Sequence, residues 1–255
     1  MSDVNVDELR QKVATSCRIL AMMGLVNEIH GHVSARLPRS EVMLLRCRNI
    51  ADEQGLDFTV MEDIRKVDFN GQGIDLNDEF VINNEVSIHG EIYKHRPEVG
   101  CVVHAHPYAS LLCGLGNVKL APVVGAYDPL TMNIALEGIP VFENSYALTN
   151  ASMMQSVLEV MGDKKNILLK GHGVIVVGKT VEEATIRAIK FERLANICWS
   201  LAAAGKEVVS IPPEDIQHTK ALQTTVDSPK INRLNSIWNY YIRLLENKAP
   251  HIEIK

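Results

Sequence analysis

The chain has 255 residues, 46% of them hydrophobic and 22% charged, a length that can bury one sizeable core and that defaults to a single domain. Its 26 basic residues are outnumbered by 31 acidic ones, for a net charge of -5, and no Lys/Arg run exceeds two, which argues against a nucleic-acid partner. No apolar stretch approaches the roughly eighteen residues of a membrane span; the acidic MSDVNVDELRQK does not read as a secretory signal, and five cysteines without a CxxC pair fit reduced thiols in the cytoplasm.

From the N-terminus, Asp7 to Leu25 carries Leu9, Val13, Cys17, Ile19, Leu20 and Met23 mostly at spacings of three and four, which predicts an amphipathic helix ended by Gly24. A short strand is expected next. Val42 to Leu45 and Lys66 to Phe69 read as strand pieces, Asn70-Gly71 as a turn, and the polar stretch from Asp52 to Asp63 as loop. Asn83-Asn84 caps a helix over Glu85 to His95, which Arg96-Pro97 breaks. A strand from Val99 to His106 follows, stopped by Pro107. Further strands are predicted at Val118 to Leu120, Pro140 to Phe142 and Ile167 to Val177. Helices are predicted at Thr149 to Met161 and Val181 to Ala204, the second opened by a capping box at Thr180-Val181-Glu182-Glu183. The tail from Ile211 is polar and Pro-punctuated, with a last helix from Ser228 to Leu245. Helices and strands interleave without a clear break, so an α/β domain with a mixed sheet is expected.

Nine histidines are the unusual count, and four of them fall within residues 89–106. In a strand, the period of two puts His104 and His106 on one face and Val103 and Ala105 on the other, so the two imidazoles form a ready pair of metal ligands; hydrogen-bonded core histidines are the bland alternative. His172 stands between Gly171 and Gly173, residues that either let a bulky group approach the backbone or form a bulge. Taken together, His104, His106 and His172 offer three neutral imidazoles to a catalytic metal with open positions. Glu85, in the first turn of the helix that feeds the His strand, is favoured there by the helix dipole whatever its role. A helix start packed against the strand's carboxyl end would bring this carboxylate to the metal, as a ligand or as a proton-transfer base.

Gly31-His32-Val33-Ser34-Ala35-Arg36, Glu85 with Ile88-His89 and Ile92-Tyr93, Arg96-Pro97-Glu98-Val99 running into Val103-His104-Ala105-His106-Pro107, and Gly171-His172-Gly173 resemble, in order and spacing, the class II aldolase/adducin family. The resemblance covers about residues 8–205. It implies a three-layer α/β/α sandwich with a mixed central sheet over residues 1–210, with 211–255 as a C-terminal helical extension. It also implies a homotetramer with active sites between subunits. One divalent metal per subunit is expected on His104, His106 and His172, zinc foremost, with manganese, cobalt or iron as alternatives. Glu85 takes the catalytic acid/base position, and His89 a supporting one.

The departures bear on substrate. Sugar-phosphate aldolases of this family resemble G-N-x-S followed by a T-x-S-G loop that cradles phosphate. Here His32 replaces the Asn, Ser34 is kept, and no T-x-S-G occurs between residues 37 and 75. Arg46 and Arg48, two apart in an extended segment, either pair with a substrate carboxylate or lie at the surface. His32 and Ser34 join them as candidate substrate-binding residues, and Tyr127 is a candidate proton donor by resemblance. The expected function is a metal-dependent carbon–carbon lyase acting on a small unphosphorylated hydroxy-carboxylate, foremost decarboxylation of a hydroxylated aromatic acid through a metal-stabilised enolate. The alternatives are an aldolase, epimerase or dehydratase acting on a sugar phosphate or hydroxy acid, and a non-catalytic adducin-like binding module.

Overall fold

The computed structural model describes residues 5–51, 55–226 and 233–248. In chain order the elements are α1 (Val6–Met22), β1 (His32–Arg36), β2 (Val42–Arg46), β3 (Arg48–Asn49), β4 (Ile64–Asp68), β5 (Phe80–Val81), α2 (Val86–His95), β6 (Cys101–Ala105), α3 (Tyr108–Leu115), α4 (Pro129–Glu137), β7 (Val141–Phe142), α5 (Ala151–Met161), β8 (Asn166–Leu169), β9 (Gly173–Gly178), α6 (Val181–Ala203), α7 (Pro213–Val226) and α8 (Arg233–Lys248). Seven strands form one sheet in the order β4-β2-β1-β6-β9-β8-β7, antiparallel at every pair except the parallel β7–β8 edge. The short strands β3 and β5 pair separately.

Alternation along the strands builds a core on each side of this sheet. Val33, Ala35, Leu44, Val103, Ala105, Val174 and Val176 face α1 and α6, where Val13, Cys17, Ile189, Phe191 and Leu194 meet them; Trp238 and Tyr241 of α8 close that core. Met43, Leu45, Val67, Val102, Ile175 and Val177 face α2 and α5, packing against Ile88, Ile92, Met154, Val157 and Met161. Helices on both faces of a mixed sheet give the three α/β/α layers that the sequence led us to expect.

Several local expectations are corrected. Ile167 to Val177 is two strands, because Gly171 takes a φ of +69° and folds β8 back onto β9. Val118 to Leu120 is not a strand, and Leu56–Phe58 and Met61–Asp63 are single 3-10 turns. Helices α3 and α4 were not anticipated, being too short for a helical period to stand out, and α7 falls within the C-terminal segment expected to be helical. Helix α2 starts one residue later than expected, with Glu85 at its N-cap. Thr180 Oγ1 caps α6 by accepting from the Glu183 amide, but the Glu183 carboxylate accepts from the Lys179 amide, so the box is not reciprocal. The expected start of the last helix at Ser228 lies outside the described residues.

Gly90 sets how closely α2 can sit. A Cβ there would lie 2.1 Å from the carbonyl oxygen of Phe69, just past β4. Gly90→Ala must push the helix outward, and it is expected to cost roughly 2 kcal/mol, or roughly 5 °C of Tm for a chain of this size. Thermal unfolding followed by circular dichroism would measure this; an unchanged Tm would mean that α2 is not held at the closeness described.

Candidate metal centre

Four side chains from three parts of the chain meet at the carboxyl end of β6. His104 is the fourth residue of that strand, His106 follows it, His172 comes from the β8–β9 turn, and Glu85 is the N-cap of α2. One ligand atom from each lies within 4.8 Å of every other. The three ring centroids stand 4.8, 4.9 and 5.0 Å apart, near an equilateral triangle, with the rings edge-to-face. His104 Nε2 and His106 Nε2 are 2.9 Å apart. The Glu85 carboxylate reaches both His104 Nε2, at 3.6 Å, and His172 Nε2, at 3.5 Å.

The backbone explains why these groups converge. β6 ends between β1 and β9, and the glycine after His172 allows the β9 start to press against it: a Cβ on Gly173 would sit 2.3 Å from the Ala105 carbonyl oxygen and 2.7 Å from the His106 ring. The sequence left open what these glycines are for: the end of β6 approaches Gly173, whereas Gly171, with a φ of +69°, makes the turn beside Ser145. Glu85 is fixed from the other side, since the Leu148 amide donates to its Oε1 at 2.7 Å.

The protonation chemistry suits a cation. Burial pulls down the pKa values of His104 and His106, the latter to about 3, so both stay neutral and keep a lone pair. His104 Nδ1–H donates to the Val174 carbonyl at 3.0 Å, which leaves Nε2 bare and facing the other three groups. Burial by itself would raise Glu85, but its contacts with His104 and His172 and the Leu148 amide outweigh this and hold the carboxylate well below the usual range. Three imidazoles and one carboxylate form the donor set of a divalent transition-metal site.

The remaining expected residues are dispersed. His32 pairs with His104 across β1–β6 and its ring lies 5.0 Å from that of His104, so it does border the centre. Ser34 is fully buried, and its hydroxyl is engaged by His89 and Tyr93 rather than turned to the centre. Arg46 follows Leu44 on the α1 face of the sheet, close enough to Cys17 to influence that thiol, whereas His104 faces α2. Arg48 belongs to the separate β3–β5 pair. The two arginines therefore belong to different sheets, Arg46 to the main one and Arg48 to the β3–β5 pair. Tyr127 is 77% exposed in the loop before α4. Two participants were not foreseen: His30, whose ring lies 5.6 Å from that of His106, and Tyr93, the terminus of a hydrogen-bonded row with Ser34 and His89. The four-residue spacing of Glu85, His89 and Tyr93, one helix face, was the available signal for the latter.

Residues 11–199 match the family described as Class II Aldolase and Adducin N-terminal domain. The chain belongs to this family. It is 34% identical over 210 residues to a 3,4-dihydroxyphthalate decarboxylase of Arthrobacter keyseri, covering 81% of this chain and 84% of that protein. It is 35% identical over 209 residues to a protein of the same name from Terrabacter sp. (strain DBF63), covering 81% and 87%. Among solved structures it is similar to an aldolase II superfamily protein from Pseudomonas syringae, with a TM-score of 0.77 and 24% identity over 95% of this chain and 93% of that one. This last likeness shows the fold.

Proposed function

We propose that this class II aldolase family member is a divalent-metal-dependent decarboxylase of an aromatic acid that carries a hydroxyl beside the departing carboxylate. The observation that carries the reading is the Glu85, His104, His106 and His172 cluster in a chain 34% identical to a named dihydroxyphthalate decarboxylase. His104, His106 and His172 would hold the metal. A divalent cation there supplies positive charge that stabilises negative charge on neighbouring substrate oxygens.

The chain's own residues supply the proton transfers. Glu85, ionised at rest, takes the proton of the ring hydroxyl and passes it to the ring carbon bearing the carboxylate, which converts the substrate to a β-keto acid. The bond to the carboxylate then breaks, carbon dioxide leaves, and the electron pair restores the aromatic ring as a phenolate that solvent protonates. A homotetramer with sites between subunits, zinc as the metal and a cytoplasmic location belong to the same reading. Supporting them are exposed Tyr108 and Tyr127, the nitrogen-rich donor set, and five cysteines with free thiols. Metal-loaded protein should release carbon dioxide from 3,4-dihydroxyphthalate in step with formation of a dihydroxybenzoate. Turnover of sugar phosphates alone would replace this reading with the aldolase or dehydratase one.

A further inference from the structure

A buried hydrogen-bonded row runs from the edge of the metal centre into the core, and none of its members is in the cluster that would hold the metal. Tyr93 Oη meets Ser34 Oγ at 2.8 Å, Ser34 Oγ meets His89 Nδ1 at 2.6 Å, and His89 Nε2 meets His32 Nδ1 at 2.6 Å. The four residues are between 0% and 5% exposed. β1 presents His32 and Ser34 two apart on one face, and α2 presents His89 and Tyr93 one turn apart against it.

Counting hydrogens along this row gives it a direction. Among the described residues the Tyr93 hydroxyl has one acceptor, Ser34 Oγ; its other polar neighbour is the Val102 amide, itself a donor. A buried O–H without an acceptor is disfavoured, so Tyr93 donates to Ser34. Among the described residues Ser34 has only Tyr93 and His89 as side-chain partners, so it donates onward to His89 Nδ1, which is then the bare nitrogen of that ring. His89 therefore carries its hydrogen on Nε2 and donates it to His32 Nδ1. His32 is left with its hydrogen on Nε2.

That Nε2 edge is the one not turned to His89, and His32 stands beside His104 on the neighbouring strand. We infer that Tyr93, Ser34 and His89 are positioning residues that hold His32 as an Nε2–H donor to an anionic oxygen of the substrate at the metal centre. A hydrogen fixed there also stops His32 from offering a lone pair and joining the three ligand histidines, so the metal keeps open positions for substrate. The substrate half of this inference rests on the carboxylate reading above; the hydrogen placement does not.

Long-range proton–nitrogen correlation spectra of the histidine rings in the zinc-loaded protein test the placement directly. The native protein should show His32 and His89 protonated on Nε2, and Ser34→Ala, which removes the donor to His89 Nδ1, should introduce an Nδ1-protonated population of His32. A native His32 protonated on Nδ1, or ring signals unmoved by Ser34→Ala, would overturn the inference. Equilibrium binding of 3,4-dihydroxybenzoate tests the donor: His32→Gln, which keeps an N–H, should bind within about threefold of the native protein, and His32→Leu at least ~10-fold more weakly. Equal binding by His32→Leu would remove the donor role while leaving the decarboxylase reading to the carbon dioxide assay.

Discussion

Replacing His172 by Ala is expected to strip the protein of its divalent metal and to lower turnover by ~10³-fold or more. Three imidazoles arranged as a near-equilateral triangle define the cluster, and two remaining ligands bind a divalent ion far more weakly than three. The charge stabilisation that the ion supplies is worth several kcal/mol, and each 1.36 kcal/mol is about tenfold in rate. His172 is preferable to His104 for this test. His104 is fully buried and donates to the Val174 carbonyl, so its removal also damages the core, whereas His172 sits on the β8–β9 turn and its Nδ1 has no partner among the described residues. Metal content by inductively coupled plasma mass spectrometry, measured beside carbon dioxide release, gives the result. Stoichiometric metal with native turnover would exclude His172 as a ligand.

Glu85→Gln is expected to slow turnover by ~10²- to 10⁴-fold, the usual worth of a positioned acid/base group, while metal content stays stoichiometric. The substitution is nearly isosteric, and the amide oxygen can still accept from the Leu148 amide, so the α2 start should remain in place. What is lost is the negative charge that now faces His104 and His172 and the capacity to carry a proton. Loss of metal together with activity would instead mark Glu85 as a fourth ligand, the alternative that the sequence left open. Activity close to native would remove it from the proton transfer altogether.

The candidate cluster of Glu85, His104, His106 and His172 was legible in the sequence for a local reason. The strand period fixes His104 and His106 on one face wherever the strand lies, and the Gly171-His172-Gly173 unit marks a place where backbone must come close. The resemblance then joined these to Glu85. Other expectations depended on where strands end, which short-range pattern does not determine. Arg46 and Arg48 are two apart and would share a face in a continuous strand, but Arg46 pairs with Ile64 of β4 while Arg48 pairs with Val81 of β5, so the two fall in different sheets. Helices α3 and α4 were missed because eight or nine residues give too few turns for an apolar period to stand out.

By itself the sequence determined the α/β class and the family and nominated Glu85, His104, His106 and His172 as a metal cluster, because each reading follows from local periodicity or from a motif carried whole. Only the tertiary structure decided which side chains touch. That Ser34 faces His89 and Tyr93 instead of the centre, that His32 borders His104, and that Gly173 makes room for β6 all depend on the register of β1 on β6 and of β6 on β9. Register is a contact between segments distant in sequence, set by how two faces pack at once, and no short window of residues contains it.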